Sequence, residues 1–139
     1  NYRLTDLQAA MGLSQLQRLD SFITARNDLA KRYDEKLSAL PLTPLLQKKE
    51  RKNGYHLYVI RVAEEKRDRL FAELRHAGIG VNVHYIPIPA QPYYRALGFD
   101  PANYPGAQAY YSSVITLPLF TELSETQQDE VVHQLERLL

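Results

Sequence analysis

The sequence contains no cysteine and no tryptophan, and it has one methionine among its 139 residues. The lack of cysteine excludes a disulfide framework, a thiolate metal site and a cysteine nucleophile. An excess of one charge is also absent, because 17 lysine and arginine residues face 16 aspartate and glutamate residues. A chain with such balanced charge has no strong positive potential that would attract nucleic acid or an acidic membrane surface. We therefore expect a cytoplasmic protein with no nucleic-acid partner and no membrane partner.

The composition is that of one globular domain, with 45% apolar and 24% charged residues. The chain begins at Asn1, without a methionine, a basic leader or the apolar run of a signal peptide. A motif-like segment starts at the first residue. We therefore expect this sequence to be a fragment of a longer chain.

The first 40 residues predict a long helix. Thr5 and Gln8 have the spacing of a capping box, and apolar residues then recur with a helical period as far as Leu37. A continuous helix over residues 6–40 would be roughly 50 Å long, whereas a compact chain of this size has a radius of gyration of about 14 Å. The helix therefore either bends near Asp20 and Ser21, or lies along a body outside this sequence, or both.

Residues 41–139 predict a small α/β domain. The pattern gives strands at 55–62, 79–86 and 114–120, with helices after the first strand, before the third strand and at the C-terminal end. The predicted fold class is α/β in the mixed α+β sense. It consists of a long N-terminal helix and a small sheet of about three strands covered by helices.

Few residues suggest chemistry by themselves. The four histidines, His56, His76, His84 and His133, lack the one-turn spacing of a helical metal site, so we expect no metal. His84 differs from the others because it ends a predicted strand on its polar face, just before a proline-rich exit where ligands are often contacted. A structural role for His84 is equally open. The lysines all lie in charge-rich stretches that do not suit a Schiff base, so we predict no catalytic residue here.

The opening segment NYRLTDLQAAMG resembles the GYNYRxTDxQAAxG motif of the DegT/DnrJ sugar aminotransferase family. Further motifs follow in the order of that family: RNDLAKRY at 26–33, GYHLY at 54–58, GIGV at 78–81, VHYIP at 83–87 and ITLPLF at 115–120. Residues 12–16 and 84–94 look most like the pseudaminic-acid-pathway transaminases, which aminate C4 of a UDP-linked 4-keto-6-deoxy-N-acetyl hexose. Pro89 stands where many relatives have a second histidine, so no role of that histidine carries over.

The resemblance implies the C-terminal small domain of a fold type I enzyme that uses pyridoxal 5'-phosphate. It implies glutamate as amino donor, a nucleotide-sugar substrate and a homodimer with shared active sites. The catalytic lysine would lie in a large domain outside this sequence, so this part alone would be inactive. Residues 1–40 would link to that domain and to the dimer interface, and residues 41–139 would form the small domain.

The resemblance also implies site residues. Asn1 matches the asparagine that reaches the cofactor phosphate of the neighbouring subunit. Tyr2 and Arg3 would contact the substrate, although Tyr2 could instead pack at the interface and Arg3 could pair with a carboxylate. The substrate-binding segment in the small domain would be Val83, His84 and Tyr85.

Two other functions stay open on the sequence. The chain is also compatible with a free-standing binding or dimerisation module. A sugar dehydratase that uses the same cofactor is the second alternative, since the residue that distinguishes it would replace the lysine.

Overall fold

The computed structural model describes residues 2–48 and 50–139. Within these ranges the helices are α1 (Asp6–Leu16), α2 (Leu19–Leu37), α3 (Glu64–His76), α4 (Pro92–Ala96), α5 (Pro105–Ser113) and α6 (Glu125–Leu138). The strands are β1 (Thr43–Pro44), β2 (Tyr58–Arg61) and β3 (Val114–Leu117), and short 3₁₀ turns span Ile88–Ala90 and Pro101–Asn103. None of the helices in the described ranges is both long enough and apolar enough to cross a membrane.

The three strands form one antiparallel sheet in the order β1-β2-β3. Val59 of β2 lies opposite Thr116 of β3, and Thr43 of β1 lies opposite Arg61. The fold class and the size of the sheet agree with the prediction. The strand β1 itself falls in a stretch that we expected to be a connection, and its Pro44 is tolerated because β1 is an edge strand.

The predicted strand over residues 79–86 is not formed. Only Asn82 pairs with β3, through a single bridge to Thr116. Ile79 and Val81 are buried as the alternation predicts, but Tyr85 is 69% exposed. The apolar face therefore ends after Val81, so further pairing with the sheet would bury no additional apolar side chains.

The N-terminal helical segment is divided into α1 and α2. The helix is interrupted at Gln17 and Arg18, shortly before Asp20 and Ser21, where the bend was expected. The capping box of α1 is present, with Gln8 N–H donating to Thr5 Oγ1 at 3.3 Å. No residue of α1 is buried.

The core lies between the sheet and the helices α2, α3 and α6. Its fully buried members include Tyr33, Leu37, Ile60, Leu74, Ile115 and Leu135. Because these residues come from helices and strands throughout residues 30–135, the domain folds around one apolar cluster.

Candidate functional site

A short extended segment leaves α3 and runs beside β3. It begins at Gly78, whose φ of +82° is a conformation that glycine adopts without steric cost. The N–H of Asn82 donates to the carbonyl of Thr116 at 3.2 Å, and the N–H of Thr116 donates to the carbonyl of Asn82 at 2.8 Å. This pair fixes the point at which residues 83–85 leave the sheet.

The three predicted residues of this segment have different surroundings. Val83 and His84 are half-buried, whereas Tyr85 is 69% exposed. The His84 Nδ1 lies 2.9 Å from Thr116 Oγ1. The Tyr85 ring meets the His84 ring edge-on at a centroid distance of 4.6 Å, and the peptide bond between them is cis. The segment therefore presents an anchored imidazole beside an exposed phenol.

Thr116 joins the candidate site through His84, although no sequence motif indicated this role. It is 5% exposed on a strand whose other residues are apolar, so its hydroxyl is a polar group in the core. A lone threonine in an apolar strand was the available signal, because a buried hydroxyl requires a hydrogen-bond partner.

The predicted N-terminal contacts lie on the surface. Tyr2 and Arg3 are exposed, and neither forms a side-chain hydrogen bond or an ion pair with the rest of the described chain. No hydrogen bond joins them to residues 83–85 there. The predicted cofactor contact, Asn1, lies outside the described residues.

Two surfaces of the molecule expose an unusual number of large apolar side chains. One surface is the α1 region, with Leu4, Leu7, Met11, Leu13 and Leu16 each more than 60% exposed. The other follows the candidate segment, with Tyr85, Ile86, Ile88, Tyr93, Leu97 and Phe99 at 44% to 69%. Large apolar side chains that cluster on a surface often mark an interaction site.

The sequence order of these features agrees with one family. The model of the DegT/DnrJ/EryC1/StrS aminotransferase family matches residues 1–136. The chain belongs to this family. The match covers the exposed N-terminal residues and also residues 83–85, which follow the bridge between Asn82 and Thr116.

Relatives of known sequence and structure support the same assignment. The spore coat polysaccharide biosynthesis protein SpsC of Bacillus subtilis is 37% identical, over 91% of this chain and 34% of SpsC. Spr1654 from Streptococcus pneumoniae, assigned as a sugar aminotransferase, is 39% identical with a TM-score of 0.92, over 98% of this chain and 35% of that one. Helicobacter pylori PseC, an aminotransferase of pseudaminic acid biosynthesis, is 29% identical with a TM-score of 0.90. This match covers 99% of this chain and 38% of PseC. The chain thus spans about a third of these relatives.

The cofactor that the family resemblance implies is found in a relative, since Spr1654 has been solved in PLP and PMP forms. The described residues do not supply the group that would hold it covalently. Every lysine in the described ranges is exposed: Lys31, Lys36, Lys48, Lys52 and Lys66. A Schiff-base lysine must instead be desolvated or otherwise lowered in pKa. None of these described lysines therefore has the surroundings of a Schiff-base lysine.

Proposed function

We propose that this chain is the C-terminal part of a PLP-dependent nucleotide-sugar aminotransferase. The family match over residues 1–136 and the coverage of about a third of each relative support this proposal. Residues 41–139 would be the small domain. Residues 1–40 would join it to a large domain that carries the catalytic lysine and would contribute to the dimer interface.

The exposed apolar side chains of α1 support a covering body. Leu7 is 73% exposed and Met11 is 64% exposed, one helical turn apart on the same side of α1. Burying a leucine or methionine side chain stabilises a protein by about 1.5 to 3 kcal/mol, so a helix that leaves several of them in water gains by packing elsewhere. In our proposal the large domain and the second subunit of a homodimer cover α1.

The substrate contacts would come from two places. His84, held by Thr116, is the single observation that carries this part of the proposal, with Val83 and Tyr85 beside it. Tyr2 and Arg3 would reach the same substrate, because an exposed guanidinium suits bidentate contact with phosphate oxygens. Asn1 would donate an amide hydrogen bond to the cofactor phosphate of the neighbouring subunit.

The reaction would transfer an amino group from glutamate to C4 of a UDP-linked 4-keto-6-deoxy sugar. The names of SpsC and PseC, which point to spore coat polysaccharide and pseudaminic acid biosynthesis, support a product used in cell-surface glycans. The enzyme would work in the cytoplasm. The chain alone would be inactive, because the exposure of its described lysines leaves none suited to a Schiff base.

The test uses the complete protein with glutamate and a UDP-linked 4-keto-6-deoxy-N-acetyl hexose, and detects the amino sugar by mass spectrometry. His84→Ala should raise KM for the nucleotide sugar about tenfold, the usual effect of losing one polar contact to a substrate. His76→Ala is the matched control, since His76 is exposed on α3. A dehydrated product without an amine would identify the dehydratase alternative and overturn the transaminase proposal.

A second test uses the 139-residue chain alone. Mixed with pyridoxal phosphate at neutral pH, it should show only the spectrum of the free cofactor. A stable absorbance band of the bound cofactor would contradict the proposed inactivity and would favour a site within this chain.

A further inference from the structure

The imidazole of His84 is held at one nitrogen. Nδ1 lies 2.9 Å from Thr116 Oγ1, and Nε2 has no hydrogen-bond partner among the residues that the structure describes. The backbone of Thr116 is held on both sides. It pairs with Val59 of β2 on one side and forms two backbone hydrogen bonds with Asn82 on the other. The hydroxyl that meets His84 therefore sits on a rigid part of the sheet.

The direction of this hydrogen bond decides which nitrogen carries the proton. The Thr116 hydroxyl has one proton to donate, and Nδ1 is its only partner within the described ranges. If Nδ1–H were the donor, the hydroxyl proton of a buried residue would have no acceptor. Unpaired buried donors are rarer in proteins than acceptors with an unused lone pair. The arrangement therefore favours the hydroxyl as donor and Nδ1 as acceptor.

We infer that Thr116 is a positioning residue that holds neutral His84 as the Nε2–H tautomer. The outer nitrogen of His84 is then a hydrogen-bond donor to an acceptor oxygen of the nucleotide sugar. The identity of that ligand rests on the proposed function, whereas the tautomer follows from the Thr116 contact alone. The hydrogen bond at Nδ1 sets the role of Nε2, because the partner of one ring nitrogen determines which nitrogen carries the proton. The same hydrogen bond also fixes the orientation of the ring.

The tautomer is measured directly by ¹⁵N–¹H correlation NMR on protein labelled at histidine nitrogen. Spectra recorded at increasing alkaline pH, until the histidine signals no longer change, report the neutral form, and His84→Gln assigns the signal. The wild-type protein and Thr116→Ser should show the Nε2–H form. Thr116→Val should show a mixture of both tautomers, since valine keeps the shape and removes the hydroxyl. A wild-type Nδ1–H form, or an unchanged tautomer in Thr116→Val, would overturn the inference.

The second measurement addresses the substrate. In the complete enzyme, Thr116→Val should raise KM for the nucleotide sugar about five- to tenfold with kcat nearly unchanged, and Thr116→Ser should restore most of the loss. Thr126→Val is the matched control, because Thr126 is exposed on α6. If the tautomer changes but KM does not, the contact with substrate is wrong and the positioning by Thr116 stands. If His84→Ala also leaves KM unchanged, the error lies in the proposed function.

Discussion

Arg32 of α2 and Asp129 of α6 form a two-point ion pair. Arg32 Nη1 lies 2.8 Å from Asp129 Oδ1, and Nη2 lies 3.0 Å from Oδ2. Lys36 Nζ, one turn further along α2, lies 2.8 Å from the same Oδ1. These hydrogen bonds join two helices that both pack on the core, and the two-point geometry makes the contact directional.

The ion pair predicts a loss of stability in acid. Hydrogen bonds from Arg32 and then Lys36 hold the pKa of Asp129 well below its ordinary value of 3.8. A carboxyl whose pKa is lowered in the folded state stabilises the protein at any pH above the pKa of the unfolded chain. This stabilisation is lost as the pH falls below that value. Asp129→Asn should therefore lower the denaturation midpoint at neutral pH. The difference from wild type should shrink progressively below pH 3.8.

Glu35 supplies the control for this measurement. Its carboxylate lies 3.9 Å from Lys31 Nζ, and both side chains are mostly exposed, at 65% and 78%. Exposed pairs of this kind contribute little to stability. Glu35→Gln should leave the midpoint nearly unchanged at every pH, and an equal effect of both substitutions would argue against a special role of Asp129.

The buried tyrosines predict a loss of stability in alkali. Tyr58 donates its hydroxyl to Asp34 Oδ1 at 2.6 Å, and burial, followed by that hydrogen bond, raises its pKa far above 10. Burial also raises the pKa of Tyr33. A tyrosine with a raised pKa in the folded state makes its full contribution to the unfolding free energy below pH 10. This contribution falls as the pH rises above 10, because the unfolded chain ionises first.

Tyr58→Phe tests this relationship. It should lower stability at neutral pH by about 1 to 2 kcal/mol through the lost hydrogen bond. It should also make the decline of stability above pH 10 less steep than in wild type. Denaturant titrations at several alkaline pH values measure both effects. Tyr93→Phe, at a residue 69% exposed, is the control, and the same flattening in that variant would contradict the prediction.

The helices were predictable from the sequence where a cap and an apolar period coincide. Ser124 and Gln127 have the spacing of a capping box, and the structure forms that box at the start of α6. The strands were less predictable because pairing depends on distant partners. Pro44 has a low strand propensity, yet the Leu45 N–H donates to the Val59 carbonyl at 3.2 Å and extends the pairing of β1 with β2.

The candidate site was predictable in part. His84 stood out by its position before a proline-rich exit, but its anchor did not, because Thr116 is 32 residues further along the chain. The pairing of Asn82 with Thr116 of β3 brings the two side chains together. A contact of this kind is a property of strand register, and single-sequence patterns do not determine register between distant segments.

Arg26 predicts a different contribution to stability. Its Nη1 donates to the carbonyls of Tyr55 at 2.8 Å, His56 at 3.3 Å and Leu119 at 3.4 Å, so it ties α2 to the residues flanking β2 and β3. Arg26→Met should cost about 2 kcal/mol in chemical denaturation, since hydrogen bonds from a charged donor are worth about 1.5 to 3 kcal/mol. Arg75→Met, at an exposed position of α3, should cost less than about 0.5 kcal/mol. Equal effects would mean that the three carbonyls are satisfied without Arg26.

The two capping boxes predict opposite outcomes for the same kind of substitution. In α6 the Gln127 N–H donates to Ser124 Oγ at 3.2 Å, and in α1 the Gln8 N–H donates to Thr5 Oγ1 at 3.3 Å. Helix α6 buries Val131, Val132 and Leu135, whereas α1 buries nothing, so only the cap of α6 is coupled to the global unfolding of the chain. Ser124→Ala should therefore lower the unfolding free energy by about 1 kcal/mol.

In the 139-residue chain, Thr5→Ala should reduce the helicity measured by circular dichroism without moving the denaturation midpoint. In the complete protein, where α1 is proposed to be covered, the midpoint should fall as well, and an unchanged midpoint there would show that α1 stays exposed.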